Sequence, residues 1–117
     1  MIRTNSRTDR RFAALRELGC VACSINGFST GMKVEIHHLV DKGTRRLSGG
    51  NEATIGLCSF HHRGEPWIDF PVSYMRERFG PSMALEAKAF AQEFGTQREL
   101  LARVNEMLSE GKIRRAE

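Results

Sequence analysis

Three cysteines and two histidine doublets constrain this chain more tightly than any apolar pattern. Cys20 and Cys23 form a C-x2-C pair in CVAC, and Cys58 and His61 form a C-x2-H pair in CSFHH. Three cysteines cannot close an even disulfide framework; in a reducing compartment they read as metal ligands or as buried free thiols. Two intervening residues let a turn or a helix start bring both side chains of a pair to one side of an ion. Together the pairs supply three thiolates and one imidazole, a closed tetrahedral zinc set. Residues 24–57 separate the halves, so such an ion would tie a loop-rich middle to the first helix. The alternative is three buried cysteines behaving as small hydrophobes.

All the histidines sit in the adjacent pairs His37–His38 and His61–His62. Neighbours on a strand point to opposite faces and cannot share one pocket. Neighbours on a helix differ by about 100° in direction, so a zinc-bound His61 leaves His62 facing elsewhere. His62 is then free for a second site, although it could instead replace His61 on the zinc. Histidine suits general-base work because its ordinary pKa lies near neutrality, and a neutral imidazole also binds divalent ions. For His37 and His38 the plainer reading is a partly buried pair bonded to backbone carbonyls.

The chain has 117 residues, 40% of them hydrophobic and 27% charged, which suits one soluble domain with a modest core. No stretch approaches the roughly 20 apolar residues of a membrane span. The start, MIRTNSRTDRRF, has no apolar core and does not read as a secretory signal, so a cytoplasmic protein is expected. The net charge of +4 is compatible with a polyanionic partner. Arg3, Arg7, Arg10, Arg11 and Arg16 crowd the beginning, and Lys42, Arg45 and Arg46 follow the first doublet. Each cluster reads either as a solvated surface or as phosphate contacts.

Residues 1–7 read as a basic flexible arm, and 8–117 as a single domain whose helical C-terminal part covers about 71–112. A helix is expected from Thr8 to Leu18, stopped by Gly19. CVAC reads as a tight turn, SINGFSTGM as a loop, KVEIH and EATIGL as short strands, and CSFHHRG as the first turns of a helix. Leu39 to Asn51 is expected to form a long loop. Pro71 and Pro81 each suit a first helical turn, and MALEAKAFAQEF is a strong helix former. Thr96 and Glu99 form a capping-box pattern opening QRELLARVNEML, with Leu100, Val104 and Leu108 on one face.

A histidine pair ending one strand, a Gly-rich loop, a second strand and a helix carrying a further histidine resemble the ββα-metal motif of HNH endonucleases. The flanking C-x2-C and C-x2-H are similar to those of zinc-bound members of that superfamily. More narrowly, CVAC, IHHL, RRLSGGN, TIGLCSFHHRG and FGTQRELLARVN resemble the recombination-enhancement (Ref) type of phage nuclease, over about residues 19–110. The resemblance implies an α+β fold: a small zinc-stabilised core with an N-terminal helix and a C-terminal helical extension. It implies DNA cleavage in a RecA-dependent way, with a recombinase filament as partner, in a bacterial or phage-infected cell.

By that pattern His38 is the general base, while His37 and His62 hold a catalytic divalent ion such as Mg²⁺. Cys20, Cys23, Cys58 and His61 hold the structural Zn²⁺. Lys42, Arg45 and Arg46, with Arg10 and Arg11, would contact DNA phosphates. Asn51 is carried over as the residue that orients the base. It lies a little farther from Cys58 than the family's asparagine does; the direct spacing match is Ala53, and a turn residue after Gly49–Gly50 is the other reading. Glu65 and Asp69 could complete the ion's shell or be surface charges. The alternative function is a non-catalytic zinc module that binds nucleic acid or protein, which would need neither His38 nor His62. A Cys–His hydrolase is a third reading, and it fails if zinc takes every cysteine.

Overall fold

Alternation of apolar and polar residues makes VEIHH a strand, and the wholly apolar-facing TIGLC makes its partner. In the computed structural model, which describes residues 6–28 and 33–116 (side chains through residue 110), these are β1 (Val34–His38) and β2 (Thr54–Cys58). They pair antiparallel, with Val34 opposite Cys58, His37 opposite Ile55 and His38 opposite Thr54. Every residue of β2 is buried, whereas only Val34 of β1 is. β2 is therefore the spine of the core, and β1 is the half-open strand that can present side chains to a ligand. The fold is mixed α+β, as expected from the sequence.

Helix α1 (Ser6–Leu18) begins two residues before the expected Thr8, so Arg7 lies on it; residues 1–5 of the expected arm lie outside the described residues. It packs Leu15 into the core and ends at Gly19, whose φ of 83° continues the chain in a left-handed turn. Its close approach to the sheet depends on Gly56, where a Cβ would come within 3.2 Å of the Gly19 carbonyl and 3.3 Å of that of Leu15. The CVAC turn is the start of a one-turn helix, α2 (Val21–Ile25), capped by Cys20. Residues 29–32 of the loop that follows lie outside the described residues.

The β1–β2 connection is irregular up to a 3₁₀ turn at Gly50–Glu52. It closes on itself through Leu39 N–H to the Ala53 carbonyl (3.0 Å) and Gly50 N–H to the Arg45 carbonyl (2.7 Å). Gly49 is required there: its φ is 117°, and a Cβ would lie 2.7 Å from the Ala53 side chain.

β2 runs directly into α3 (Ser59–Arg63), and the remainder is helical: α4 (Val72–Phe79), α5 (Ala87–Phe94) and α6 (Gln97–Ala116). Pro71 stands at the cap of α4. Pro81 starts no helix, and α5 begins at Ala87 rather than near Met83. Tertiary bonding overrides helix propensity here: Met83 donates its N–H to the His61 carbonyl (2.8 Å), and the Ser82 hydroxyl closes a separate turn by accepting from Leu85 N–H (3.2 Å). The capping box of α6 forms as expected, with Thr96 N–H to Glu99 Oε1 at 3.0 Å and Glu99 N–H to Thr96 Oγ1 at 3.1 Å. Leu100 and Val104 are buried, with Leu108 packed beside them. Among the described residues, no helix is long and apolar enough to cross a membrane.

Candidate metal centres on one short helix

Cys20 precedes the first turn of α2 and Cys58 that of α3, so each C-x2 pair is a helix start whose cap is a sulfur. Cys23 N–H points at Cys20 Sγ and His61 N–H at Cys58 Sγ, both at 3.4 Å. Each cap turns its i+3 side chain inward, and the two turns face each other. The ligand atoms of Cys20, Cys23, Cys58 and His61 lie within 4.8 Å of one another, and all four residues are buried.

The internal distances test whether a metal fits. A tetrahedral ion with sulfur at about 2.3 Å and nitrogen at about 2.0 Å places its ligands roughly 3.5–3.8 Å apart. His61 Nδ1 lies 3.5, 3.4 and 3.4 Å from the sulfurs of Cys20, Cys23 and Cys58, and the Cys23 and Cys58 sulfurs are 3.9 Å apart. His61 Nε2–H donates to the Phe79 carbonyl at 2.9 Å, which leaves Nδ1 as the ring nitrogen facing the sulfurs. The Cys3His cluster could hold a structural metal ion such as zinc.

Without an ion, the cluster holds protons that a metal would have to displace. Hydrogen bonds with Cys20 and Cys58 push the Cys23 thiol far up, whereas those with Cys20 and Cys23 draw Cys58 far down. Thiols this close share protons because adjacent thiolates repel; a divalent cation among them relieves that repulsion. Burial opposes a charge on His61, but its bonds to Cys20 and Cys58 outweigh burial and raise it to about 10. Phe60, Phe90 and Phe94 surround the ring, with centroids 5.7, 6.4 and 5.2 Å away.

His62, one step round α3, faces β1 instead. Its Nε2 lies 3.2 Å from His37 Nδ1. Behind each ring stands an acceptor. His62 Nδ1–H donates to Glu35 Oε1 at 2.7 Å, and Glu35 is held in turn by Arg63, whose Nη2 lies 2.6 Å from Oε2. The Arg63 hydrogen bonds hold the Glu35 carboxyl down at about 2, against the opposing effect of burial. His37 Nε2–H donates to Gln97 Oε1 at 3.1 Å. Burial, reinforced by the charges of His62, His38 and Arg45 and opposed by the bond to Gln97, lowers the pKa of His37. With their outer nitrogens donating, His37 Nδ1 and His62 Nε2 face each other across 3.2 Å, a separation that a hydrogen bond between the rings or a shared metal ion would each give. Nitrogens about 2.1 Å from a common ion stand roughly 3.0–3.4 Å apart, which matches the pair.

The chain matches the family model described as "recombination enhancement, RecA-dependent nuclease" over residues 4–109. It belongs to that family. No curated protein matches it. The match spans the Cys3His cluster, the His37–His62 pair and the helical part through most of α6.

On this RecA-dependent nuclease, His38 Nε2 lies 2.8 Å from Asn51 Oδ1, and its ring stands edge-on to Phe12 at 6.1 Å. Asn51 sits on the 3₁₀ turn, where its carbonyl accepts from the Thr54 hydroxyl at 3.0 Å; Ala53, the residue that matches the family spacing, is buried in the core. Lys42, Arg45 and Arg46 are exposed on the connection after β1, and Arg10 is exposed on α1. Arg11 is half-buried and donates to the Thr54 hydroxyl (2.9 Å) and carbonyl (2.7 Å), an internal tie between α1 and β2. Glu65 is exposed and pairs with Arg63, and Asp69 is exposed.

Sequence reasoning missed Glu35, Arg63, Gln97 and Arg98. Glu35 carried a signal: it shares a strand face with His37, two residues away. Gln97 and Arg98 carried none, because α6 reaches the site only through tertiary packing.

Proposed function

We propose that this nuclease is an HNH-type endonuclease that hydrolyses DNA phosphodiester bonds with a catalytic divalent ion, and that the Cys3His cluster holds a structural zinc. The observation that carries the reading is the pair of ring nitrogens His37 Nδ1 and His62 Nε2, 3.2 Å apart with both outer nitrogens bonded to acceptors. With both rings neutral these are two acceptors, which repel unless a cation lies between them; a second proton on His62 would make Nε2 a donor to His37 Nδ1, and a metal ion would take the place of that proton. A divalent ion held by His37 and His62, Mg²⁺ or another, would supply charge stabilisation at the leaving oxygen.

The remaining work falls to the chain itself. Accepting at Oδ1, Asn51 leaves His38 with its proton on Nε2 and its lone pair on Nδ1, the atom available to take a proton from the attacking water. Phe12 and Asn51 together restrict the ring. Lys42, Arg45, Arg46 and Arg10 supply exposed positive charge for the phosphate backbone. A recombinase filament as partner and a role in phage recombination extend the family's description to this chain. The alternative, a non-catalytic zinc module, leaves the His37–His62 pair and the His38–Asn51 bond without a role.

The test is a nicking assay on plasmid and on branched or single-stranded DNA with Mg²⁺ or Mn²⁺, with and without a RecA-type filament. Wild type should cut and His38→Ala should not. Equal cutting by both proteins would overturn the assignment.

A further inference from the structure

Gln97 is the first residue of α6, far from the histidines in sequence, yet its Oε1 serves two donors at once. Val40 N–H points to it at 3.2 Å, and His37 Nε2 lies 3.1 Å away. A backbone N–H can only donate, so the atom it meets must be the amide oxygen rather than the nitrogen. That fixes the amide's orientation. An amide oxygen can only accept, so His37 must carry a proton on Nε2, and in the neutral ring Nδ1 is then the lone pair facing His62.

The side chain is held in place from both directions along the chain. Thr96 and Glu99 cap the helix start on which it sits. Arg98 clasps Asp41 through two bonds, Nη2 to Oδ1 at 2.7 Å and Nε to Oδ2 at 3.0 Å, and reaches the Ser48 carbonyl at 3.1 Å. The clasp ties the start of α6 to the β1–β2 connection just beyond Val40.

We infer that Gln97 is a positioning residue: by accepting from His37 Nε2–H it fixes the His37 tautomer and sets the affinity of the His37–His62 pair for a divalent ion. The inference rests on the metal reading proposed above. An acceptor behind a metal-binding imidazole orients the ring and raises its basicity, and its loss costs about 10–100-fold in metal affinity. The helical C-terminal part is thereby a component of the metal site as well as a scaffold.

The experiment compares wild type, Gln97→Leu and Gln97→Glu, each zinc-loaded and full-length. Leucine keeps a helix propensity close to that of glutamine and leaves the Thr96 cap intact, and the exposed Val40 N–H can turn to water. Long-range ¹⁵N–¹H spectra recorded without added metal read the His37 tautomer. Calorimetric titration with Mn²⁺ reads affinity. Wild type should show the Nε2–H form of His37; Gln97→Leu should lose it and bind Mn²⁺ about 10–100-fold more weakly. Gln97→Glu, whose carboxylate accepts the same bond, should keep both. A Gln97→Leu protein with the wild-type tautomer and affinity would overturn the role of Gln97 alone, as would a Gln97→Glu protein as impaired as the leucine variant. Wild type that binds no Mn²⁺ would remove the metal reading of the pair, and this role with it.

Discussion

His61 and His62 are neighbours on one short helix, yet their surroundings are of opposite kinds. His61 is fully buried, its Nδ1 enclosed by three sulfurs and its ring walled by phenylalanines. His62 is partly exposed and faces one other imidazole, with a carboxylate behind it. The first arrangement fills all four corners of a tetrahedron and leaves no room for a reactant. The second has two nitrogens and is partly exposed; as the proposed metal site it would keep the free positions that chemistry on a substrate requires. The 100° step between helical neighbours is what separates them. One helix turn can therefore serve stability on one face and chemistry on the other.

The sharpest way to break this comparison is to remove each histidine in turn. His61→Ala, like Cys58→Ala, should abolish cooperative folding. Structural zinc contributes about 10–16 kcal/mol in small zinc peptides, as much as the whole stability of a typical domain. His62→Ala should keep its fold and its zinc. Elemental analysis of protein purified without added metal, expected to give one zinc per chain, and thermal melts by circular dichroism check both. A zinc-free but fully folded wild type would end the structural role of the cluster.

Within the open site, base and ligand should fail differently. His38→Ala should cut about 10²–10⁴-fold more slowly while binding DNA and melting as wild type does. His62→Ala should also lose cutting, but raised Mn²⁺ should restore part of it, because a lost ligand weakens affinity and a lost base does not. Rates measured across a metal titration separate the two, and identical curves would merge the proposed roles.

A smaller effect is expected at the exposed cations. Replacing Arg45 and Arg46 together should flatten the salt dependence of duplex binding by about 0.9 for each phosphate that is no longer neutralised. Binding isotherms at several salt concentrations measure the slope, and an unchanged slope would place DNA elsewhere on the surface.

The smallest effect concerns Glu35. Its carboxyl is held at about 2, below the ordinary 4.5, so its ion pair adds stability that is complete above about pH 4.5 and is lost as pH falls towards 2. The pair is partly exposed, 31% for Glu35 and 53% for Arg63, so Glu35→Gln should cost under about 1 kcal/mol at pH 7. The difference in melting temperature from wild type should shrink as pH is lowered; a constant difference would assign the loss to packing instead.

The sequence made the closed site more legible than the open one. Cys20, Cys23, Cys58 and His61 follow from spacing, since each pair is a local helix start and a C-x2 interval survives any tertiary arrangement. The two strands, α1 and the α6 cap were legible for the same reason: periodicity and capping are local. The groups behind His37 and His62 were not. Glu35 and Arg63 meet across β1 and α3, and Gln97 arrives from the far end of the chain. Nor could propensity foresee that Ser82 and Met83 would spend their bonds on a turn and on His61, delaying α5 to Ala87. Asn51 was ambiguous by counting alone, because the 3₁₀ turn at Gly50–Glu52 takes up residues that a spacing rule does not see.

The placement of Gln97 at the head of α6 also orders events in time. A ribosome releases Cys20 and Cys23 first, then the strand pair and His61, and residue 97 only after α4 and α5. Cys20, Cys23, Cys58 and His61 are all synthesised before α6, so their side chains can meet around an ion before Leu100 and Val104 complete the core. His37 gains its acceptor later, when α6 docks and Arg98 reaches Asp41. On the proposed roles, assembly of the stabilising centre can thus precede assembly of the reactive one.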